Sequence, residues 1–424
     1  FFSFRYHMKA LFVVVCVLLA VGSSLSASYE GFKVVRITID NENQVNRIKS
    51  IINANENCSF WSDKYTIPGE IDVQVSPKAV ELLFNEIESN NMKYDIVHDD
   101  LQADINHLFQ LNEKIQNQAD SDFFDSYADF DQMEAFLTSL QAAYPTMSSL
   151  VTVGKTLENR DITGIVITGT ENTNMTKPKI VINGCQHARE WISPMTVAFI
   201  AQSLLQNYTS YALVEQLVND FEWTIIPIVN GDGYVYTWTD DRLWRKNRRK
   251  NEGSACYGVD LNRNWDFEWG TDGSLQIPCA DTYAGPSPFS EPEETALANY
   301  ISAQENVVAY IDYHAYGELF MYPWGYVCDD PTPDATTQNT GAILYAQAAQ
   351  SVHGVTYTTG PICDTIYPAS GDSADWTYGA ANVVYSYACE LRGDSFILPP
   401  EEIIPSGQET FAGIISWAKY IDSQ

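Results

Sequence analysis

Residues 225–229 read Ile-Ile-Pro-Ile-Val without a polar interruption, and a strand written that way has no face to offer to water. Such strands belong to sheets covered on both sides. Strand runs recur beyond Asp129 near 150–153 and at 162–168, 179–183, 223–229, 307–313 and 383–388. Segments of helical character at 131–144, 193–207, 292–306, 340–352 and 408–421 alternate with them. The alternation predicts an α/β protein whose large domain carries a mixed, helix-flanked sheet.

The chain has 424 residues, more than one compact unit usually holds, so a smaller domain should accompany the large one. Residues 31–99 supply it, reading strand, helix, strand, helix, strand at 33–39, 45–52, 71–75, 77–90 and 94–97, a small open-faced α/β sandwich. A polar segment follows with a helical period at Leu101, Ile105, Leu108, Leu111 and Ile115, a connecting helix that carries Lys114. Lys114 is one of very few basic residues in the region and a candidate for trypsin-like cleavage, its alternative being a solvated helix face.

Fifty-five acidic against 24 basic residues give a net charge of −31, which repels phosphate backbones and anionic lipid. Nucleic acid and membrane surfaces are thereby poor partners. Residues 242–250 concentrate six of the basic residues in one run. Met8, Lys9, the apolar run 10–21 and the small residues after it form a secretory signal, too short for the roughly 20 apolar residues of a membrane span. A secreted, extracellular product with disulfides is expected, and seven cysteines after Cys16 leave at least one free thiol. Sequons at Asn57, Asn174 and Asn207 agree with that route.

The chemistry sits where strands end, the usual crevice of such sheets. His187 and Glu190 follow the strand at 179–183, and His314 follows the strand at 307–313, in a chain with only six histidines. Two His and one Glu leave a fourth position open for water, as in a catalytic zinc site. Glu390 closes the strand at 383–388 with a charge where the pattern calls for an apolar residue, and so becomes the candidate base; pairing with Arg392 is the alternative. A peptide hydrolase also needs cations for an oxyanion and for a terminal carboxylate. Arg245 and the pair Asn262-Arg263 are the candidates, which gives the basic run a better use than nucleic acid. His353, at a helix end, reads as structural.

His187-Ala-Arg-Glu-Trp191, Arg242-Leu-Trp-Arg-Lys246, Asp260-Leu-Asn-Arg-Asn-Trp265, Ile366-Tyr-Pro-Ala-Ser-Gly371 and Glu390-Leu-Arg392 together resemble the pancreatic-type zinc metallocarboxypeptidases of the A/B subfamily, in their procarboxypeptidase form. The likeness runs from about Tyr29 to the end of the chain. It implies one Zn2+ per chain on His187, Glu190 and His314, with Asp260 orienting His187 and Glu390 activating water. It implies Arg245 at the oxyanion, Asn262, Arg263 and Tyr367 on the substrate's terminal carboxylate, and Arg189, Tyr316 and Phe396 at outer subsites. After a leader and signal over 1–27, it implies an inhibitory pro-domain with its connecting helix over 28–114, removed by a trypsin-like protease at Lys114, and a catalytic domain over 115–424. Disulfides Cys256 to Cys279 and Cys328 to Cys363 follow from the same likeness, leaving Cys58, Cys185 and Cys389 as thiols.

Specificity departs from the family's pattern. Where A-type enzymes have a bulky apolar residue and B-type enzymes an aspartate at the pocket base, this chain has Ala374. A glycine two residues earlier is replaced by Asp372, and Asp312 maps near the pocket wall. Met321, Ile362 and Ala388 keep the pocket partly apolar. The expectation is a preference for C-terminal Lys and Arg, with an A-like preference for apolar or aromatic termini as the alternative and a peptide-binding relative without catalysis as the remote one.

Overall fold

The computed structural model describes residues 27–55, 58–61, 67–170 and 176–424. Residues 1–26 of the leader and signal expected over 1–27, and the sequons at Asn57 and Asn174, lie outside the described residues. The first unit contains β1 (Lys33–Ile39), α1 (Glu42–Ala54), β2 (Ser59–Phe60), β3 (Gly69–Val75), α2 (Val80–Ser89) and β4 (Tyr94–His98), with the sheet in the antiparallel order β2-β3-β1-β4. Alternation decides which face is covered: Val35, Ile37, Ile71 and Val73 form a separate core with Val45, Ile48, Leu83 and Ile87 of the two helices. Val34 and Trp61 instead join the main core of the protein, together with Leu101, Ile105 and Leu108 of α3 (Leu101–Gln116). The open face of the sandwich and the connecting helix are therefore docked on the larger unit.

That unit runs through α4 (Phe130–Ala143), β5 (Ser148–Lys155), β6 (Asp161–Ile167), β7 (Lys179–Gly184), α5 (Ile192–Asn207), α6 (Ala212–Asp220), β8 (Glu222–Ile226), α7 (Gly231–Thr239), α8 (Pro292–Ala303), β9 (Val307–Ala315), β10 (Leu319–Tyr322), α9 (Ala335–His353), β11 (Thr358–Pro361), α10 (Ile362–Thr365), α11 (Ser373–Gly379), β12 (Tyr385–Leu391) and α12 (Ile403–Asp422). Eight strands form one mixed sheet in the order β11-β10-β12-β9-β7-β8-β6-β5. Strands β12, β9, β7 and β8 are mutually parallel, so their C-terminal ends share one edge. They are buried on both faces, and α5 is buried almost all round between this sheet and α12. Disulfides join Cys256 to Cys279 and Cys328 to Cys363, leaving Cys58, Cys185 and Cys389 as free thiols. No helix of the described residues is long and apolar enough to cross a membrane.

Three residues of the basic run are engaged inside the fold. Arg242 stacks on Trp191 and donates to the carbonyls of Arg189 and Phe396, Lys246 donates to those of Pro278 and Ala280, and Arg249 pairs with Glu291.

A buried carboxyl in α8 costs stability in a pH-dependent way. Both side-chain oxygens of Glu294 are buried without a hydrogen-bond partner among the described residues. Burial first, then neighbouring Glu293 and Glu291, hold its pKa well above the usual carboxylate range. The proton bound in the folded state stabilises fully below the unfolded pKa and is lost as pH rises through the folded one. Glu294→Gln is therefore expected to melt with the parent near pH 4 and above it from about pH 5. The gap should widen by up to about 1.4 kcal/mol per pH unit while the parent's carboxyl stays protonated. Melting curves from pH 4 to 8 test this, and parallel curves would refute it.

Candidate active site

Three neighbouring strands deliver the chemistry to one edge. Glu390 of β12 is in register with His314 of β9, and Gly184 of β7 with Tyr313, three residues before His187. The turn after β7 then carries His187 and Glu190 back over the sheet. Nδ1 of His187 lies 2.9 Å from Oε1 of Glu190, while Nδ1 of His314 lies 3.2 Å from Oε2 of Glu190 and 3.1 Å from Nδ1 of His187. All three residues are buried. Burial alone would raise the Glu190 carboxyl, and the two imidazoles outweigh it and hold the group below the usual carboxylate range.

The far side of each ring meets a carboxylate. Oδ1 of Asp260 is 3.1 Å from Nε2 of His187, and Oδ2 of Asp312 is 2.7 Å from Nε2 of His314. An Nε2 facing a carboxylate oxygen carries the proton, which leaves the Nδ1 lone pairs turned toward each other and toward Glu190. Ligand atoms of the three side chains all fall within 4.8 Å of one another. Two nitrogens and a carboxylate oxygen converging in this way fit a zinc ion, with the open position of a catalytic site.

Asp260 is held by more than His187. It caps the short turn Leu261–Arg263 by accepting from the Asn262 amide, and its Oδ2 accepts from Nε and Nη2 of Arg245 at 3.2 and 2.9 Å. Burial would raise the Asp260 pKa, but Arg245 and His187 draw it well below the usual range. The turn presents Asn262 and Arg263. Oδ1 of Asn262 accepts from the Ser373 amide, and Nη2 of Arg263 donates to the Tyr367 hydroxyl at 3.1 Å. Gly371 sits between this turn and α11 at a φ of +71°, where a Cβ would lie 2.6 Å from the Arg263 carbonyl oxygen, so only glycine fits the approach. Arg392 pairs with Glu402 and Glu409.

Leu319, Met321, Ile362, Ile366, Ala369, Ala374 and Ala388 form an apolar cluster beside Tyr367. Asp372 belongs to its boundary. Oδ1 of Asp372 caps α11 by accepting from the Asp375 amide. Oδ2 is buried without a hydrogen-bond partner among the described residues, near Gly325, Ala369 and Ile362. Burial pushes this carboxyl up to about 6, against the Asp375 amide and Arg263, which lower it. Asp312, expected near the pocket wall, is in register with Ala388 of the apolar cluster. It is enclosed beneath His314 by Asn183, Gln186 and Ser373, because residues 312 and 314 share one face of β9.

The smaller unit covers the outer side of the site. The Tyr316 hydroxyl donates to Oδ2 of Asp72, which also pairs with Arg36. Trp61 packs 5.3 Å from the Phe396 ring, and the Arg189 guanidinium lies over that same ring at 4.2 Å. Nε2 of His98 lies 2.6 Å from the Ser395 hydroxyl. A cavity of about 710 Å3 follows this seam, bordered by Arg36, Asp72, Tyr316 and Arg392, and its lining includes none of the three converging ligands nor Glu390. Lys114 is exposed in the last turn of α3, while Asn112 two residues earlier is buried and holds both the amide and the carbonyl of Tyr127.

The profile of the family described as "Zinc carboxypeptidase" matches residues 133–413, and that of "Carboxypeptidase activation peptide" matches residues 35–107. The chain belongs to the zinc carboxypeptidase family. This carboxypeptidase is 38% identical to a metallocarboxypeptidase A-like protein of Trichophyton verrucosum over 92% of this chain and 93% of the relative. It is 32% identical to zinc carboxypeptidase A 1 of Anopheles gambiae over 95% of this chain and 92% of the relative. Among solved structures it resembles the carboxypeptidase A from Helicoverpa armigera, with a TM-score of 0.84 and 28% identity over 93% of this chain and 98% of that one. Thrombin activatable fibrinolysis inhibitor gives a TM-score of 0.85 and 25% identity over 93% and 100%. The carboxypeptidase is thus a zinc enzyme with an activation peptide, a zymogen.

Two groups at the site escaped the sequence reading. The second carboxylate behind a histidine, Asp312, was signalled by a charge two residues before His314 in a buried strand. The capping role of Asp372 was signalled by its place at the head of the short segment Ser-Ala-Asp-Trp.

Proposed function

We propose that this enzyme is a secreted zymogen that, once its pro-domain is cut away after Lys114, removes C-terminal Lys and Arg from peptides. The observation that carries the specificity is the buried, unpartnered Oδ2 of Asp372 at an otherwise apolar pocket. A cation entering that pocket would gain a carboxylate already stripped of water, which an apolar side chain could not use. The second reading, a preference for apolar or aromatic termini, rests on Ala374 and the apolar lining, and the relatives above carry carboxypeptidase A in their names.

His187, Glu190 and His314 would hold zinc, and when bound it supplies Lewis acidity to the scissile carbonyl and to water. Glu390 would take the proton of the attacking water and carry it to the departing amine. Arg245 is the cation for the developing oxyanion, its guanidinium held in place by Asp260. Asn262 and Arg263 would receive the substrate's terminal carboxylate, with Tyr367 closing over it. Arg189, Tyr316 and Phe396 would line the outer subsites, which the pro-domain residues Asp72 and Trp61 occupy in the zymogen. Lys114 is the sole basic residue between Lys93 and Lys155, so a trypsin-like enzyme has one target in the connection.

Trypsin treatment of the full chain, with N-terminal sequencing and peptides ending in Arg, Lys, Phe or Leu, tests the proposal. The expected result is a new N-terminus at Ile115, faster release of Arg and Lys, and loss of turnover with a chelator. Faster release of Phe or Leu would assign the pocket to Ala374 and its apolar neighbours.

A further inference from the structure

Asp312 lies in the middle of a strand buried on both faces, and it is itself fully buried. No Lys or Arg pairs with it among the described residues. Its Oδ1 accepts from Nδ2 of Asn183 at 2.7 Å, and its Oδ2 from Ser373 Oγ at 2.8 Å, from Gln186 Nε2, and from Nε2 of His314 at 2.7 Å. A carboxylate is expensive to bury among neutral donors. The one partner here that gains by the charge is His314.

We infer that Asp312 is a positioning residue of the metal site, fixing His314 with its proton on Nε2 and its Nδ1 lone pair toward the ligand cluster. It would do for His314 what Asp260 does for His187. Partners of this kind orient the ring and raise its basicity as a ligand. The two arrangements differ in origin. Asp260 reaches His187 from a separate turn, whereas Asp312 reaches His314 from two residues away on the same strand, so ring and carboxylate are aligned by the pleat itself. Ser373 extends the arrangement. It donates through Oγ to Asp312 and through its amide to Oδ1 of Asn262. The ligand is thereby tied to the residue proposed to meet the substrate carboxylate and to the head of α11, next to Asp372.

The inference rests on the zinc site proposed above. Zinc dissociation constants, measured on the full chain by competition with a chelator, separate the two. A parent that binds no zinc would sink the site itself. If the parent binds, Asp312→Asn is expected to weaken zinc about 10- to 100-fold while melting cooperatively. Ser373→Ala, which keeps the contact between His314 and Asp312, is expected to stay within about threefold of the parent. An Asp312→Asn chain that holds zinc as tightly as the parent would overturn the inference. If the Asn variant does not fold, the parent with cobalt(II) in the site decides. Two paramagnetically shifted ring N–H protons that exchange slowly with deuterium are expected, one for each histidine, and a single slow proton would overturn the inference.

Discussion

Replacing Glu390 by Gln is expected to lower kcat of the trypsin-activated enzyme by about a hundred- to ten-thousand-fold while leaving zinc affinity unchanged. The amide keeps the size of the carboxyl but cannot take a proton from water at neutral pH. The residue stands at the end of β12, across from His314, and is not among the three converging ligands. Its loss should therefore leave the metal in place. Single-turnover rates and chelator competition on the same preparation check both halves. Near-parent turnover would remove Glu390 from the mechanism, and lost zinc would make it a ligand.

The second large effect is expected at Asp372. Asn caps helices about as well as Asp, so Asp372→Asn should preserve α11 while removing the charge. Stranding a cationic side chain in a pocket without its partner costs about 3–5 kcal/mol in buried pairs. On that scale kcat/KM for peptides ending in Arg should fall by about 150- to 5,000-fold, with peptides ending in Leu little changed. The parent's pH profile carries the same signature. Burial raises the Asp372 carboxyl to about 6, so kcat/KM for Arg peptides should drop as pH falls through that value, where the carboxyl becomes neutral. The ratio of Arg to Leu rates at each pH isolates this group from others that serve both substrates. A ratio independent of both pH and the substitution would leave Asp372 as a helix cap only.

Much of this was legible in the residues. The long apolar strands β7 and β9 and the amphipathic helices declare themselves because burial on both faces, or on one stripe, leaves a periodic trace. The ligand candidates were legible because strand ends in a covered sheet are where charge stands out. Shorter elements left no such trace. Strands β10 and β11 have four residues each, too few for a period, and owe their form to pairing with neighbours. Helix α7, Gly-Asp-Gly-Tyr-Val-Tyr-Thr-Trp-Thr, combines poor helix formers and takes its start from the Asn230 side chain. Asp312 shows the same limit at the site. Its position in the sequence suggested the pocket wall but not the contact with His314, because a sequence records which face a strand residue shares but not which side chains close over it.

The in-register pairing of Glu390 with His314 has a consequence for how such enzymes can diversify. Hydrogen-bonded backbone, at the roughly 4.8 Å spacing of adjacent strands, sets the offset between those two residues, and loop packing contributes little to it. The pocket is built differently, from β10, the segment through α10 and the head of α11, which lie to one side of that ruled pair. Inheritance can therefore redraw which peptide ends are accepted, one side chain at a time, while the spacing that breaks the bond passes unchanged from one lineage to the next.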